Sequence, residues 1–182
     1  MTMQGNTWLR WVAAVCLTTH TSLAADTFVW DHGDGNWQQA SNWDPSDGPP
    51  GAGDTAIVDI DARVNLDGAV FGVEQLQLDN GGEVIIQGFS NRLTVVNLAG
   101  TAETHVSGSG SQLIPRGGGT ELSFATDHLY LENGGELDIE GARVDVRRTM
   151  FVDGDSIITG RGTLRFTDWY CESRNRLNLQ GT

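Results

Sequence analysis

The sequence predicts an all-β fold, a single-stranded parallel β-helix, and two observations support that prediction. Residues 76–88 read LQLDNGGEVIIQG, and residues 129–141 repeat them as LYLENGGELDIEG, 53 positions later. Within each copy apolar and polar residues alternate, as in a strand that buries one face. Such a short recurring unit cannot bury its own apolar side, so the copies are expected to stack as coils.

Two weaker copies indicate a coil of about 20 residues. The stretch 96–108 repeats the apolar pattern 20 positions after the first copy, and Val152 follows Leu131 by 21 positions in a shortened copy that ends at Gly160. A regular unit of this length favours a solenoid whose inward residues align from coil to coil.

This alignment predicts aliphatic ladders inside the solenoid. Leu78, Leu98 and Leu131 are expected to stack in successive coils, while Gln77 and Tyr130 face outward. The step from Leu98 to Leu131 is longer than one such coil and too short for two. We therefore expect either a squeezed coil or an excursion loop between them.

The Asn-Gly-Gly sequences that begin at Asn80 and Asn133 allow two interpretations. In a solenoid they form corners, which need the positive φ angles that Gly and Asn tolerate. In the alternative fold, an antiparallel β-sandwich or jelly roll, each is a tight hairpin turn. The matched repeat favours the solenoid.

Residues 1–24 are predicted to be a secretory signal peptide. Arg10 precedes a short apolar run, and the small residues before Ala25 suit a cleavage site near that position. The apolar run is too short to span a bilayer. We therefore expect an exported protein that is secreted or held at the cell surface.

Residues 25–54 differ in composition from the repeats and are predicted to cap the amino-terminal end of the solenoid. They contain Trp30, Trp37 and Trp43 among many Gly, Asp and Pro residues. An open solenoid end exposes both core and strand edge, so it needs a cover. The alternative is that these rings form a sugar-stacking platform. The regular coils are predicted to occupy 55–170.

The charge balance excludes one class of partner. The chain has a formal net charge of -13 and contains no lysine, and such a surface repels nucleic acid. After signal cleavage Cys171 is the one remaining cysteine, so no intramolecular disulfide is expected.

The opening of the predicted mature chain resembles that of large bacterial surface proteins. Residues 30–37 (WDHGDGNW), 40–43 (ASNW) and 50–58 (PGAGDTAIV) are similar to the first segment of autotransporter-type passenger proteins. The resemblance extends over Trp30 to Phe166 and implies parallel β-helix repeats. That group shares no catalytic residues, so the resemblance implies no activity.

Calcium is one candidate ligand, because Asp31, Asp34 and Asn36 place three oxygen-bearing side chains close together in glycine-rich chain. Turn formation explains the same residues without a metal. Asp153 and Asp155 form a weaker pair of the same kind. No other cofactor is expected.

No catalytic residues are predicted. His32, His105 and His128 lack the spacing of a nucleophile's base or a metal ligand. Asp138, Asp145 and Arg147 alternate outward in the predicted strands, and they could imitate the charged face of a polysaccharide-active β-helix enzyme. Outward charges are also what any soluble solenoid displays.

The sequence-based hypothesis for function is an exported structural or adhesive β-solenoid module without catalytic activity. The alternatives are a polysaccharide lyase or hydrolase, or a fragment of one, and a calcium-dependent glycan-binding module. Expected partners are cell-surface glycans or other surface proteins. The polar stretch 171–182 is predicted to be a tail or an unfinished coil, so we expect a piece of a longer protein that self-associates through its carboxy-terminal coil.

Overall fold

The computed structural model describes residues 25–68, 70–88, 90–117, 122–171 and 176–177, so the predicted signal peptide lies outside the described residues. Apart from a 3-10 turn at Ala40–Asn42, the regular secondary structure of these residues is strand, joined by turns and loops. The strands are β1 Thr27–Trp30, β2 Gly35–Asn36, β3 Trp43–Asp44, β4 Thr55–Val58, β5 Arg63–Asp67, β6 Val70–Val73, β7 Gln75–Leu78, β8 Glu83–Gln87, β9 Arg92–Val95, β10 Glu103–Ser107, β11 Gln112–Pro115, β12 Leu122–Glu132, β13 Glu136–Val152, β14 Ile157–Cys171 and β15 Arg176–Leu177.

The strands wind into a three-sided parallel solenoid of about five turns. Face A contains β1, β4, β7, β10 and the last parts of β12, β13 and β14. Face B contains β2, β5, β8, β11, the first parts of β13 and β14, and β15. Face C contains β6, β9, the first part of β12 and the middle parts of β13 and β14. This arrangement confirms the predicted β-helix and rules out the antiparallel sandwich.

Inward side chains form the core because each strand alternates buried and exposed positions. On face A, Leu76 pairs in register with Ala56 in the preceding turn and with Thr104 in the following one. Leu78 pairs likewise with Val106, which pairs with Leu131. All of these residues are buried. The core is therefore a set of continuous ladders along the solenoid axis.

The predicted position of Leu98 is wrong. Its side chain is fully exposed, with a relative accessibility of 109%, and it lies in the loop at 96–102 between β9 and β10. The predicted coil length holds from Ala56 to Leu76, but the next two steps on face A, from Leu76 to Thr104 and from Thr104 to Leu129, are both longer. The stretch between the two clear sequence repeats therefore holds two full turns, and neither a squeezed coil nor a stray loop is needed.

The reason for this error is that residues 96–102 separate β9 from β10, whereas Glu74 alone separates β6 from β7, although both turns have a strand on face C. Leu93 and Val95 of β9 fill the inside of that face. Val96 and Leu98 imitate the spacing of Leu76 and Leu78, but they come after the strand has ended. Sequence spacing alone cannot distinguish an apolar pair in a loop from a pair that points into the core of a strand face.

The corners at Asn80 and Asn133 are confirmed as solenoid corners. Both residues have φ angles of 53°, and the following glycines, Gly81 and Gly134, have φ angles of 88° and 87°. Each corner joins a face A strand to a face B strand of the same turn, and those strands pair with neighbouring turns. A hairpin would instead pair them with each other.

The amino-terminal cap is built around buried aromatic rings. Trp30, Trp37 and Trp43 have accessibilities of 1%, 0% and 2%. The Trp43 ring makes edge contacts with Trp30 and Trp37 at centroid distances of 5.0 and 4.8 Å. The short strand β3 pairs antiparallel with β1 and covers its outer edge. Because the rings have no exposed face, these three residues cannot form the alternative sugar platform.

The carboxy-terminal end has a different construction. The long strand β14 follows β13 around all three faces. On its other side, within the described residues, β14 pairs with β15 through Ile157 and Ile158. The rest of the predicted tail at 171–182, apart from the backbone of Cys171, lies outside the description, as does the Cys171 side chain.

Candidate binding face

The outward positions of face A carry a column of aromatic side chains. Its members lie one turn apart in register: His105 pairs with Tyr130, Tyr130 with Phe151, and Phe151 with Tyr170. Because parallel strands are about 4.8 Å apart, side chains at one register position are brought into contact along the axis. We call His105, Tyr130, Phe151 and Tyr170 the aromatic column.

The rings of the aromatic column stack in two pairs. The His105 and Tyr130 ring centroids are 4.5 Å apart at an interplanar angle of 11°. Phe151 and Tyr170 are 5.4 Å apart at 8°. Between the pairs, Tyr130 and Phe151 are 6.3 Å apart and tilted by 45°. Within each pair the ring faces pack against each other. The atoms exposed to solvent are therefore mainly ring edges, the His105 ring nitrogens and the tyrosine hydroxyls.

Carboxylates fix one end of the column. The Nε2 atom of His105 lies 3.2 Å from Glu103, and its Nδ1 atom lies 3.4 Å from Glu132. These two glutamates also act on Tyr130, whose pKa is raised by burial first and then by the two negative charges. The Tyr130 hydroxyl therefore keeps its proton and remains a hydrogen-bond donor.

A small polar cleft adjoins His105. It has a volume of about 290 Å³ and is lined by Gln75, Gln77, Asp79, His105, Ser107 and Glu132. Amide, hydroxyl and carboxylate groups of this kind suit a hydroxyl-rich ligand, because they offer both donors and acceptors. Face A thus combines ring edges with a polar border.

The residues that could imitate an enzyme groove are separated by the fold. Asp138 lies on face B, whereas Asp145 lies on face C of the same turn. Asp145 is paired with Arg143. Arg147 lies at the corner between faces C and A. The three side chains therefore do not share one face.

Asp138 is nevertheless chemically distinctive. Burial raises its pKa, and the negative charges of Glu140 and Glu136 raise it further, while the nearby Thr159 hydroxyl, which donates to Glu136 at 2.8 Å, and the positive charge of Arg116 oppose the shift. A carboxyl group of raised pKa is the kind that serves as a general acid. Its neighbour Glu140 is held by Arg116 at 2.8 Å.

The calcium candidates lie in the cap. Asp34 accepts a hydrogen bond from the backbone N–H of Arg63 at 2.8 Å, so its carboxylate joins the cap to the first full turn. Asp31 and Asn36 are exposed nearby. In the described part of the chain, no group of three or more His, Cys, Asp or Glu side chains is arranged to hold a metal ion. Calcium binding stays a prediction.

Asp153, one member of the weaker pair, has a structural role at a corner. Asp153 accepts a hydrogen bond from the backbone N–H of Asn133 at 2.9 Å and another from the Ser156 hydroxyl at 2.9 Å. Of the three histidines considered above, His32 is exposed in the cap, His105 faces outward on face A, and the Nε2 atom of His128 is 3.1 Å from the carbonyl oxygen of Gly100.

Comparison with known protein families, curated proteins and solved structures found no match to this chain. Within the residues that the structure describes, no helix is long and apolar enough to cross a membrane. The resemblance to autotransporter-type passenger proteins therefore stays a proposal.

Proposed function

We propose that this protein is an exported, non-catalytic β-solenoid that acts as a structural or adhesive surface module. Face A is its contact surface, and cell-surface glycan is its partner. The observation that carries the proposal is the aromatic column, because four ring-bearing side chains project outward in register from consecutive turns. Export is supported by the amino-terminal sequence pattern.

The chemistry of face A suits an extended glycan. Because the ring faces are engaged within the column, the Tyr130 and Tyr170 hydroxyls provide the main recognition by hydrogen-bonding sugar hydroxyls, and the ring edges add van der Waals contact. The polar cleft beside His105 supplies further donors and acceptors. A straight face with a regular rung spacing can hold consecutive units of a polymer, as extended solenoid surfaces do.

An adhesion experiment tests the proposal. Purified protein on beads is incubated with a panel of immobilised glycans, and retention is compared with that of the double variant Tyr130→Ala/Phe151→Ala. Gln87→Ala on face B is the control, since it removes a partly exposed side chain from a different face. We expect the double variant to lose binding while the control keeps it. Equal retention of all three folded proteins would contradict the assignment of face A.

A polysaccharide-active enzyme is the second candidate, favoured by the raised pKa of Asp138. It predicts new reducing or unsaturated ends when the protein is incubated with acidic or neutral polysaccharides. That activity would disappear in Asp138→Ala. Such a result would replace the adhesive proposal.

A further inference from the structure

The corner between faces C and A is larger in β13 than in the turns on either side. In β12 one residue, Asp127, stands between the parts on the two faces, and in β14 one residue, Thr167, does so. In β13 both Arg147 and Arg148 stand there. The insertion therefore places two adjacent guanidinium groups at one point on the surface.

These arginines line a groove of about 600 Å³, which is within the usual size range for a small-ligand site. The loop at 96–102 forms one wall, with the exposed Leu98 at its edge. His128 and Thr149 lie on the same groove at the border of face A, so it adjoins the proposed contact surface.

Arg148 has a structural role in the groove. Its Nη2 atom lies 3.5 Å from the carbonyl oxygen of Ala99, so the side chain reaches from β13 to the loop of an earlier turn. Gly100 has a φ angle of 69°, and a Cβ atom there would collide with the Arg148 guanidinium. The missing side chain of Gly100 thus makes room for this contact.

Arg147 differs from the arginines that are neutralised within the fold. Arg63, Arg116 and Arg143 form ion pairs with Glu83, Glu140 and Asp145. Arg147 is exposed and forms no ion pair with a described residue, and its backbone carbonyl accepts a hydrogen bond from the Thr167 hydroxyl at 2.8 Å.

Two carboxylates also line the groove. Asp127 is buried and accepts a hydrogen bond from the backbone N–H of Asn97 at 3.1 Å, so it is engaged with the wall. Asp168 is exposed at the opposite side and pairs in register with Thr149. Neither carboxylate forms an ion pair with Arg147 or Arg148 in the described residues.

We propose that this groove binds the carboxylate of an acidic sugar residue, through the guanidinium of Arg147. The proposal rests on the glycan-binding function above and specifies the sugar class at one point along face A. A guanidinium binds a planar carboxylate through two parallel hydrogen bonds. Asp168 and the Thr149 hydroxyl are placed for sugar hydroxyls, and Leu98 offers apolar contact to a ring face.

Calorimetric titration with tetragalacturonate and with its fully methyl-esterified form tests the proposal. We expect the acid to bind at least about tenfold more tightly than the ester, and Arg147→Gln to remove that difference, because an ester cannot form the charge-assisted hydrogen bonds that a carboxylate forms with a guanidinium. Arg147→Lys keeps the positive charge but cannot form two parallel hydrogen bonds to a carboxylate. Its affinity for the acid should therefore fall between that of the wild type and that of Arg147→Gln. Arg161→Gln, an exposed arginine of β14 on face B, is the matched control and keeps wild-type affinity.

Equal affinity for the acid and the ester would overturn the inference, as would wild-type affinity in a folded Arg147→Gln protein. Inorganic phosphate that competes as well as galacturonate monomer would also overturn it, since the site would then select charge and not carboxylate shape. Failure of the two proposals can be told apart. If Arg147→Gln leaves binding unchanged while Tyr130→Ala/Phe151→Ala weakens it, only the groove proposal is wrong. If Arg147→Gln weakens binding while the double variant leaves it unchanged, the proposed adhesive role of the aromatic column is wrong.

Discussion

The two aromatic clusters of this solenoid use the same kind of side chain in opposite ways. In the cap, Trp30, Trp37 and Trp43 meet edge to face and are buried. In the aromatic column the rings stack in pairs on the outside, and Tyr170 is 59% exposed. One cluster closes the end of the core, and the other projects from a face that is already closed beneath it.

This difference shows which cluster can serve a partner. A buried ring contributes the transfer of its apolar area from water, and nothing outside the protein can reach it. The column leaves ring edges and hydroxyls at the surface, where their removal changes binding more than stability. Stability and binding measurements on matched variants should therefore separate the two clusters.

The largest effect is expected in the cap. Trp37→Ala should lower the free energy of unfolding by about 3–5 kcal/mol, because it leaves a large cavity in a fully buried cluster. Tyr170→Ala, at the exposed end of the column, should lower it by only about 0.5–1.5 kcal/mol, the contribution of its stacked contact with Phe151. Urea unfolding followed by circular dichroism measures both, and equal losses would remove the distinction between the clusters.

The aliphatic ladder between the clusters gives the next largest effect. Leu131→Ala should cost about 2–5 kcal/mol, since its side chain is buried between turns. Leu98→Ala should change stability by no more than about 0.5 kcal/mol, because its side chain is exposed. The same unfolding experiment checks the corrected register: a large loss at Leu98 would restore the coil length expected from the sequence.

An intermediate effect is expected inside the aromatic column. Phe151→Ala removes a stacked contact with Tyr170, which contributes about 0.5–1.5 kcal/mol beyond area burial. It should reduce glycan retention by a larger factor than Phe151→Leu, which keeps apolar bulk without a ring. The loss in unfolding free energy and the loss in retention are measured on the same samples. Equal retention by the two variants would show that apolar bulk at this position contributes nothing to binding, whereas wild-type retention by Phe151→Leu would show that no ring is required.

The smallest effect concerns Asp138. Because its pKa is raised in the folded state, the unfolded chain ionises first, and stability falls as the pH rises from about 4 through the folded pKa. Asp138→Asn should therefore raise stability at pH 7, by less than about 1 kcal/mol at this partly exposed site, and should leave it unchanged near pH 3. Unfolding at both pH values checks the sign. A loss of stability at pH 7 would show that the ionised carboxylate is favourable.

The fold was predictable because the alternation of apolar and polar residues predicts strands even where the length of a coil is misjudged. Alternation around Leu76 and Leu129 identified the strands, and the Asn-Gly-Gly corners after each of them fixed where the chain bends. The three tryptophans of the cap were also predictable, since a solenoid end must be covered.

The candidate site was not predictable, because it depends on register between turns. Tyr130 lies beside His105 because the turn between them is longer than the repeat in the sequence suggests. A coil of the expected length would not bring these two residues together. The groove at Arg147 depends on one extra residue in a single corner. Repeat spacing carries no information about such an insertion, since only the paired strands reveal it.

The unequal lengths of the turns have a consequence for protein engineering and for evolution. Face A strands stay in register although successive turns differ in length, so the extra chain is absorbed entirely outside that face. Peptide grafts into the loop at 96–102, between β9 and β10, where this extra chain already lies, should leave the rungs intact. A scaffold of this kind acquires new ligand specificities by insertion and deletion at its edges, without redesign of its interior.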